Sequence, residues 1–200
     1  MRTFALTGGI ATGKSTAGEM MRRLMPSMVF FDCDQSVQGL LRDPLVLVEV
    51  SEVLGRSVIL ADGSLDRVGL REAVFENSGQ RSKLEGVLHP KVRKECLEKR
   101  DFCSKNASST LFVADVPLLF ECGFDFDQEL NLVVAISEAT QRIRLKARNH
   151  FEDRMISSIL NAQLPIMEKV ARGDVVFWNE GCPSVLEEQL ARFLKSLSIS

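Results

Sequence analysis

The sequence has no long apolar run. Nothing in it approaches the roughly 18 consecutive apolar residues that a membrane span requires. Signal-peptide anatomy is missing too, since Gly8 and Gly9 follow directly on a short apolar segment. Cysteine is scarce and unpatterned. The five (Cys33, Cys96, Cys103, Cys122, Cys182) are odd in number and none forms C-x-x-C, which argues against a zinc site or a disulfide framework. Charge of one sign is lacking as well: 25 Lys and Arg against 27 Asp and Glu give a net −2. That balance removes any global electrostatic case for nucleic acid or an anionic membrane as partner, and no obligate protein partner is implied. There is no internal repeat or low-complexity linker to mark a domain boundary. What remains is a chain of 200 residues, 45% hydrophobic and 26% charged, with the composition of one globular domain in a reducing, cytoplasmic setting.

Charge is uneven along the chain. Asp32 to Asp66 holds seven acids and two bases, Arg81 to Lys105 eight bases and four acids, and Gln141 to Arg172 seven bases and three acids. Two basic segments in a slightly acidic chain are either solvated helix faces or a local site for an anionic small ligand. Apolar runs of buried-strand type occur at Arg2–Thr7, Met28–Asp32, Thr110–Asp115 and Leu130–Ile136, with a last short strand at Asp174–Trp178. Helical patterning covers Lys14–Leu24, most of Asp34–Cys103 around an Asp62-Gly63 turn, Ser137–Leu164 and Pro183–Leu197. Buried strands alternating with helices predict an α/β fold with a parallel sheet covered on both faces, and a ligand at the carboxyl ends of its strands.

Gly8-Gly9-Ile10-Ala11-Thr12-Gly13-Lys14-Ser15 fits G-x-x-x-x-G-K-[ST]. Glycines let the backbone turn tightly so that successive N–H groups converge on phosphates. The Lys14 ammonium suits β- and γ-phosphates, and the Ser15 hydroxyl suits Mg²⁺. A strand before the string and a helix after it mark a nucleoside triphosphate site.

Asp32-Cys33-Asp34 follows the second predicted strand. Read as extended chain, both carboxylates face one way. Asp32 fits a helix cap or a metal-ordering role, and Asp34 fits a general base. Asp115 ends the third apolar run, either as a second contact to the metal or as a structural Asp. Arg144 and Arg148 are four apart in one predicted helix and so share a face, which is solvated or holds an anion. His89, before Pro90, and Arg93 one turn on form a weaker anion-binding candidate.

The assembled strings resemble the dephospho-coenzyme A kinase family. They are L-T-G-G-I-x-x-G-K-S-T at Leu6–Thr16, D-x-D at Asp32–Asp34, D-G-x-L-D-R at Asp62–Arg67 and L-H-P-x-V-R at Leu88–Arg93. P-L-L-F-E at Pro117–Glu121, Q-R-x-R-x-x-x-R at Gln141–Arg148, Gln163, and N-x-G at Asn179–Gly181 complete them. The resemblance implies a P-loop kinase fold with a core at about 1–34, 107–140 and 170–200, an acceptor-binding helical region at 35–105 and a lid at 141–168. It implies ATP with Mg²⁺ as phosphoryl donor and the ribose 3′-hydroxyl of dephospho-coenzyme A as acceptor. Asp34, Lys14, Arg144 and Arg148 take the catalytic positions, with Ser15, Asp32 and Asp115 near the metal. Gly8, Gly9, Ala11, Thr12, Gly13, Lys14, Ser15, Thr16, Asn179 and Gly181 fall on the ATP side. Asp34, His89, Arg93, Pro117, Leu118, Leu119 and Glu121 fall on the acceptor side. The chain departs from the family's usual residues at Ala11-Thr12, Gly173 and Trp178. The alternatives are another small P-loop kinase, such as a nucleoside monophosphate or shikimate-type kinase, and a nucleotide-dependent switch. The last is weakened by the absence of N-K-x-D or T-K-x-D.

Overall fold

Five strands form one sheet in the order β2-β3-β1-β4-β5 in a computed structural model that describes residues 1–55, 58–60, 62–106, 109–149 and 151–197. They are β1 (Arg2–Gly8), β2 (Val29–Asp32), β3 (Leu111–Asp115), β4 (Leu130–Ala135) and β5 (Val175–Trp178). The β1–β3, β1–β4 and β4–β5 pairs are all parallel. Central β1 lies between β3 and β4, so the order reverses there, and its carboxyl end is a topological switch point of the kind where open α/β sheets bind ligands.

The chain divides into two compact units, Met1–Phe31 with Arg100–Ser200, and Asp32–Lys99. In the first, sequential β4 residues serve opposite faces. Leu132 and Val134 pack with Phe4, Leu6, Met21 and α9 (Pro183–Leu197), while Val133 and Ala135 pack with Ile166 and Val170 of α8 (Ile166–Arg172). Burial on both faces explains why the strands read as continuous apolar runs. Leu186, Leu190 and Leu194 recur every four residues along α9 and are all buried, the stripe an amphipathic helix presents to a sheet. Helix α1 (Lys14–Leu24) joins β1 to β2 and buries Ala17, Met20 and Met21 in the same core.

The second unit is helical: α2 (Cys33–Leu40), α3 (Pro44–Leu54), α4 (Arg67–Glu76) and most of α5 (Ser78–Lys105). Asp43 caps α3 ahead of Pro44 at its first position, and Asp66 caps α4 through the Val68 and Gly69 N–H groups. Leu88, Val92 and Cys96, four apart on α5, are buried. Ile59 and Leu65 bridge across the Asp62-Gly63 turn.

Two expectations need correction. Ser137–Leu164 is not one helix: α6 (Glu138–Asn149) and α7 (Asp153–Asn161) are separate, and the short α8 follows. Helix α7 folds back on α6, with Arg142 donating to Ser157 Oγ at 3.1 Å and Ile156 1% exposed. The basic pattern runs through both helices and so gives no sign of the break. Asp32 and Asp34 do not share an extended segment either. The strand ends at Asp32 and Asp34 lies in the first turn of α2, where residues two apart diverge around the helix. Among the described residues no helix is long and apolar enough to cross a membrane.

Candidate active site

Gly13 ends the glycine-rich loop in the left-handed region at φ 90°, and α1 begins at Lys14. A side chain at Gly13 would be strained in that conformation and would also run into the Asn179 amide. Gly8 is required for space, because a Cβ there would lie 2.6 Å from the Val134 carbonyl oxygen. Ala11 takes φ 61°, an unusual conformation for a non-glycine residue.

The carbonyls of this loop are held each by a different side chain, four of them from outside the loop. Lys169 Nζ donates to Gly8 O (3.3 Å), Thr12 Oγ1 to Gly9 O (2.8 Å) and Gln141 Nε2 to Ile10 O (2.8 Å). Arg144 Nη1 donates to Ala11 O (3.3 Å) and Asn179 Nδ2 to Thr12 O (2.8 Å). Five consecutive carbonyls thus engage side chains. A peptide's N–H points away from its C=O, so turning the carbonyls outward gives the inner side of the turn to N–H groups, an anion-binding nest at a helix amino terminus. Ile10 and Thr12 are exceptions, their N–H groups donating to Gln163 Oε1 at 2.9 Å and to Gly9 O at 3.4 Å.

Lys14 Nζ makes an ion pair with Asp115 Oδ1, both side chains being largely buried. The register explains it, since Asp115 of β3 pairs with Leu6 of β1, two residues before Gly8. The Ser15 and Thr16 hydroxyl-bearing side chains are exposed at the start of α1. Ser15 and Asp115 offer only hard oxygen donors, which suit Mg²⁺ shared with phosphate oxygens. Among the described residues no group of three or more His, Cys, Asp or Glu could hold a metal unaided.

Arg144 is half-buried. Besides Ala11 O, its guanidinium reaches Asn179 O at 2.8 Å, whereas Arg148, one turn on, is exposed. Glu180 pins the Asn179–Gly181 loop to the start of α6 by accepting from Ser137 N–H and from Thr140 Oγ1 (2.8 Å). Those hydrogen bonds, led by the Ser137 backbone N–H, hold its carboxyl below the ordinary value of 4.5. Trp178, 40% exposed, exchanges backbone hydrogen bonds with the Gln189 side chain, so its indole leaves the Asn179 contacts undisturbed. Beyond β3, Thr7 Oγ1 donates to Pro117 O at 3.4 Å, Leu118 is half-buried and Leu119 is buried. Glu121 then pairs with Lys169 at 2.6 Å.

In the helical unit Asp32 caps α2, its Oδ1 accepting from Gln35 N–H at 2.9 Å, and Asp34 is exposed in the same turn. His89, half-buried, and Arg93, exposed, stand four apart on α5 and so on one face.

Gln141, Gln163 and Lys169 had no functional reading in the sequence. The two glutamines lie in recognisable strings, but only the fold shows them gripping Ile10. Lys169 carried no signal beyond membership of a basic segment.

Residues 2–184 match the family model described as dephospho-CoA kinase. The chain belongs to the dephospho-CoA kinase family. A dephospho-CoA kinase of Bacillus cereus is 36% identical over 195 residues, covering 97% of this chain and 96% of that protein. The structure of a dephospho-CoA kinase from Campylobacter jejuni, 24% identical, superposes with a TM-score of 0.73 over 99% of this chain and 98% of its own. A shikimate kinase from Acinetobacter baumannii, solved with shikimate, reaches a TM-score of 0.55 at 14% identity, over 100% of this chain and 96% of its own, a likeness of fold alone. The expected P-loop kinase architecture and ATP-dependent phosphotransferase class are those of this dephospho-CoA kinase family.

Proposed function

We propose that this chain transfers the γ-phosphoryl group of ATP to the 3′-hydroxyl of the dephospho-CoA ribose, giving CoA and ADP. The observation that carries the reading is the phosphate loop with five carbonyls tied outward, joined to Lys14 and Asp115 at the switch point of the sheet. Phosphoryl transfer needs little covalent chemistry from the protein; positioning and charge stabilisation supply the rate. The loop N–H groups and Lys14 hold the β- and γ-phosphates. Ser15 and Asp115 would hold Mg²⁺, which when bound neutralises charge on the phosphate oxygens. Asp34 accepts the proton of the 3′-hydroxyl as its oxygen bonds to the γ-phosphorus and the bond to the ADP oxygen breaks. Arg144 sets the loop, Arg148 meets the charge that develops on the transferring group, and the Asn179–Gly181 loop borders the adenine. Pro117–Leu119 with Glu121, together with His89 and Arg93, receive the acceptor.

The test follows ADP release with ATP and Mg²⁺ against a panel of hydroxyl acceptors, with CoA identified by mass. Efficient turnover of dephospho-CoA, and poor turnover of AMP, adenosine and shikimate, is expected. Equal turnover of AMP would replace this reading with that of a nucleoside monophosphate kinase.

A further inference from the structure

Among the described residues Lys169 is the only buried lysine or arginine, at 0% exposure. Its ammonium has two partners, Glu121 Oε1 at 2.6 Å and Gly8 O at 3.3 Å. Glu121 Oε1 also accepts the Leu164 N–H at 3.0 Å, while Oε2 is buried with no hydrogen-bond partner among the described residues. Stability does not call for such a pair. Desolvating two charges offsets most of their attraction, and a well-packed apolar pair of similar volume is often at least as stable. What an apolar pair could not do is hold these two partners at once. Gly8 opens the phosphate loop, and Glu121 closes the turn after β3 that stands on the acceptor side. A single buried cation therefore spans the two halves of the reaction, and the unmatched Oε2 marks the carboxylate as incompletely satisfied.

We propose that Lys169 is a positioning residue that couples the ATP side of the site to the acceptor side by holding the Gly8 carbonyl and the Glu121 carboxylate on one ammonium. The proposal rests on the kinase reading above. When one substrate fixes its half of the site, the shared cation fixes the other half, so each substrate tightens the other by the same factor.

The experiment measures the dissociation constant of dephospho-CoA with and without the non-hydrolysable ATP analogue AMP-PNP and Mg²⁺, and KM for both substrates. The proteins are the wild type, Glu121→Gln, Lys169→Met and the double variant. Lys169→Met alone strands a buried carboxylate and is expected to unfold at lower temperature. The double variant is neutral and keeps an acceptor for the Leu164 N–H, so it carries the test if the single variant fails to fold. In the wild type AMP-PNP should tighten dephospho-CoA about five-fold or more, within the usual range of such couplings. In Glu121→Gln only the acceptor side should weaken. In the double variant the tightening should fall to within two-fold of none, with both KM values raised about ten-fold. A wild type without coupling, or a folded double variant that keeps it, overturns the proposal and leaves the pair a packing feature. Should the wild type phosphorylate AMP and not dephospho-CoA, the proposed acceptor falls, and the same coupling measured with AMP still decides the role of Lys169.

Discussion

Ala11 holds a left-handed backbone conformation at φ 61°, which for a residue with a Cβ is strained by about 1 kcal/mol or more. Its carbonyl is held there by Arg144, so the loop enforces the strain rather than relieving it. Ala11→Gly should therefore raise stability by up to about 1 kcal/mol, the strain relief exceeding the entropy lost with glycine, as read by reversible denaturant unfolding. A destabilised variant would show that Ala11 is not strained. Asp32 and Asp34 separate in the same way, by what each touches. Asp32 caps α2, so Asp32→Ala should lower stability by about 1 kcal/mol. Asp34→Asn should leave stability and ATP affinity near wild type and lower kcat by roughly 10²-fold or more, the scale of general-base removal. If Asp32→Ala abolishes turnover while Asp34→Asn stays active, the two roles are exchanged.

Element ends carry the next two expectations. Gly173 stops α8, and a Cβ there would sit 2.5 Å from Val133 Cγ2 in the sheet core. Gly173→Ala should thus destabilise the protein by about 1–3 kcal/mol, and Val133→Ala in the same chain should recover part of the loss. Full tolerance of the single substitution would mean that α8 can shift away. Glu180 joins the start of α6 to the loop after β5, and its carboxyl is held below 4.5. A lowered folded value contributes stability that is complete above the unfolded value and is lost as pH falls through the folded one. Glu180→Gln should accordingly lower Tm near neutrality and flatten its fall below about pH 4.5, the two proteins converging in acid. An unchanged acid limb would show that this hydrogen-bond set contributes nothing. What was legible in the sequence follows the same division. The phosphate loop and all five strands were readable because both are local signals, a spacing and an apolar run. The break between α6 and α7 was not, because the basic pattern continues across it, and the contacts between the two helices, such as Arg142 to Ser157, join residues far apart in the sequence. Asp32 and Asp34 were misplaced because α2 begins at Cys33, two residues earlier than their extended spacing assumes. Lys169 was invisible, since sequence gives a lysine no sign that it will be buried.

At the scale of the whole molecule the net charge is only −2, and among the described residues the buried polar ones gather in one place. Thr7, Thr12, Asp115, Gln141, Lys169 and Asn179 make up nearly all of them, and each contacts the phosphate loop or the strand ends beside it. The larger unit therefore concentrates its buried polar side chains around the phosphate loop. The unit Asp32–Lys99 stands where a βαβ crossover needs only about 10 to 12 residues. An acceptor as small as adenosine or AMP gives no reason for an insertion of that size. One with an adenosine, a pyrophosphate and a pantetheine arm does, and His89 with Arg93 on one face of α5 is the contact proposed above for its phosphates. Dephospho-CoA should accordingly exceed AMP by about 10²-fold or more in kcat/KM, each good contact to a charged group contributing on the order of 1.5–3 kcal/mol. Arg93→Ala should narrow that gap, by lowering kcat/KM for dephospho-CoA more than for AMP, because only the larger acceptor carries the pyrophosphate. Steady-state kinetics with both acceptors decides it. A gap unchanged by Arg93→Ala would move the phosphate contact elsewhere in the unit, and no gap in the wild type would remove the argument from size altogether.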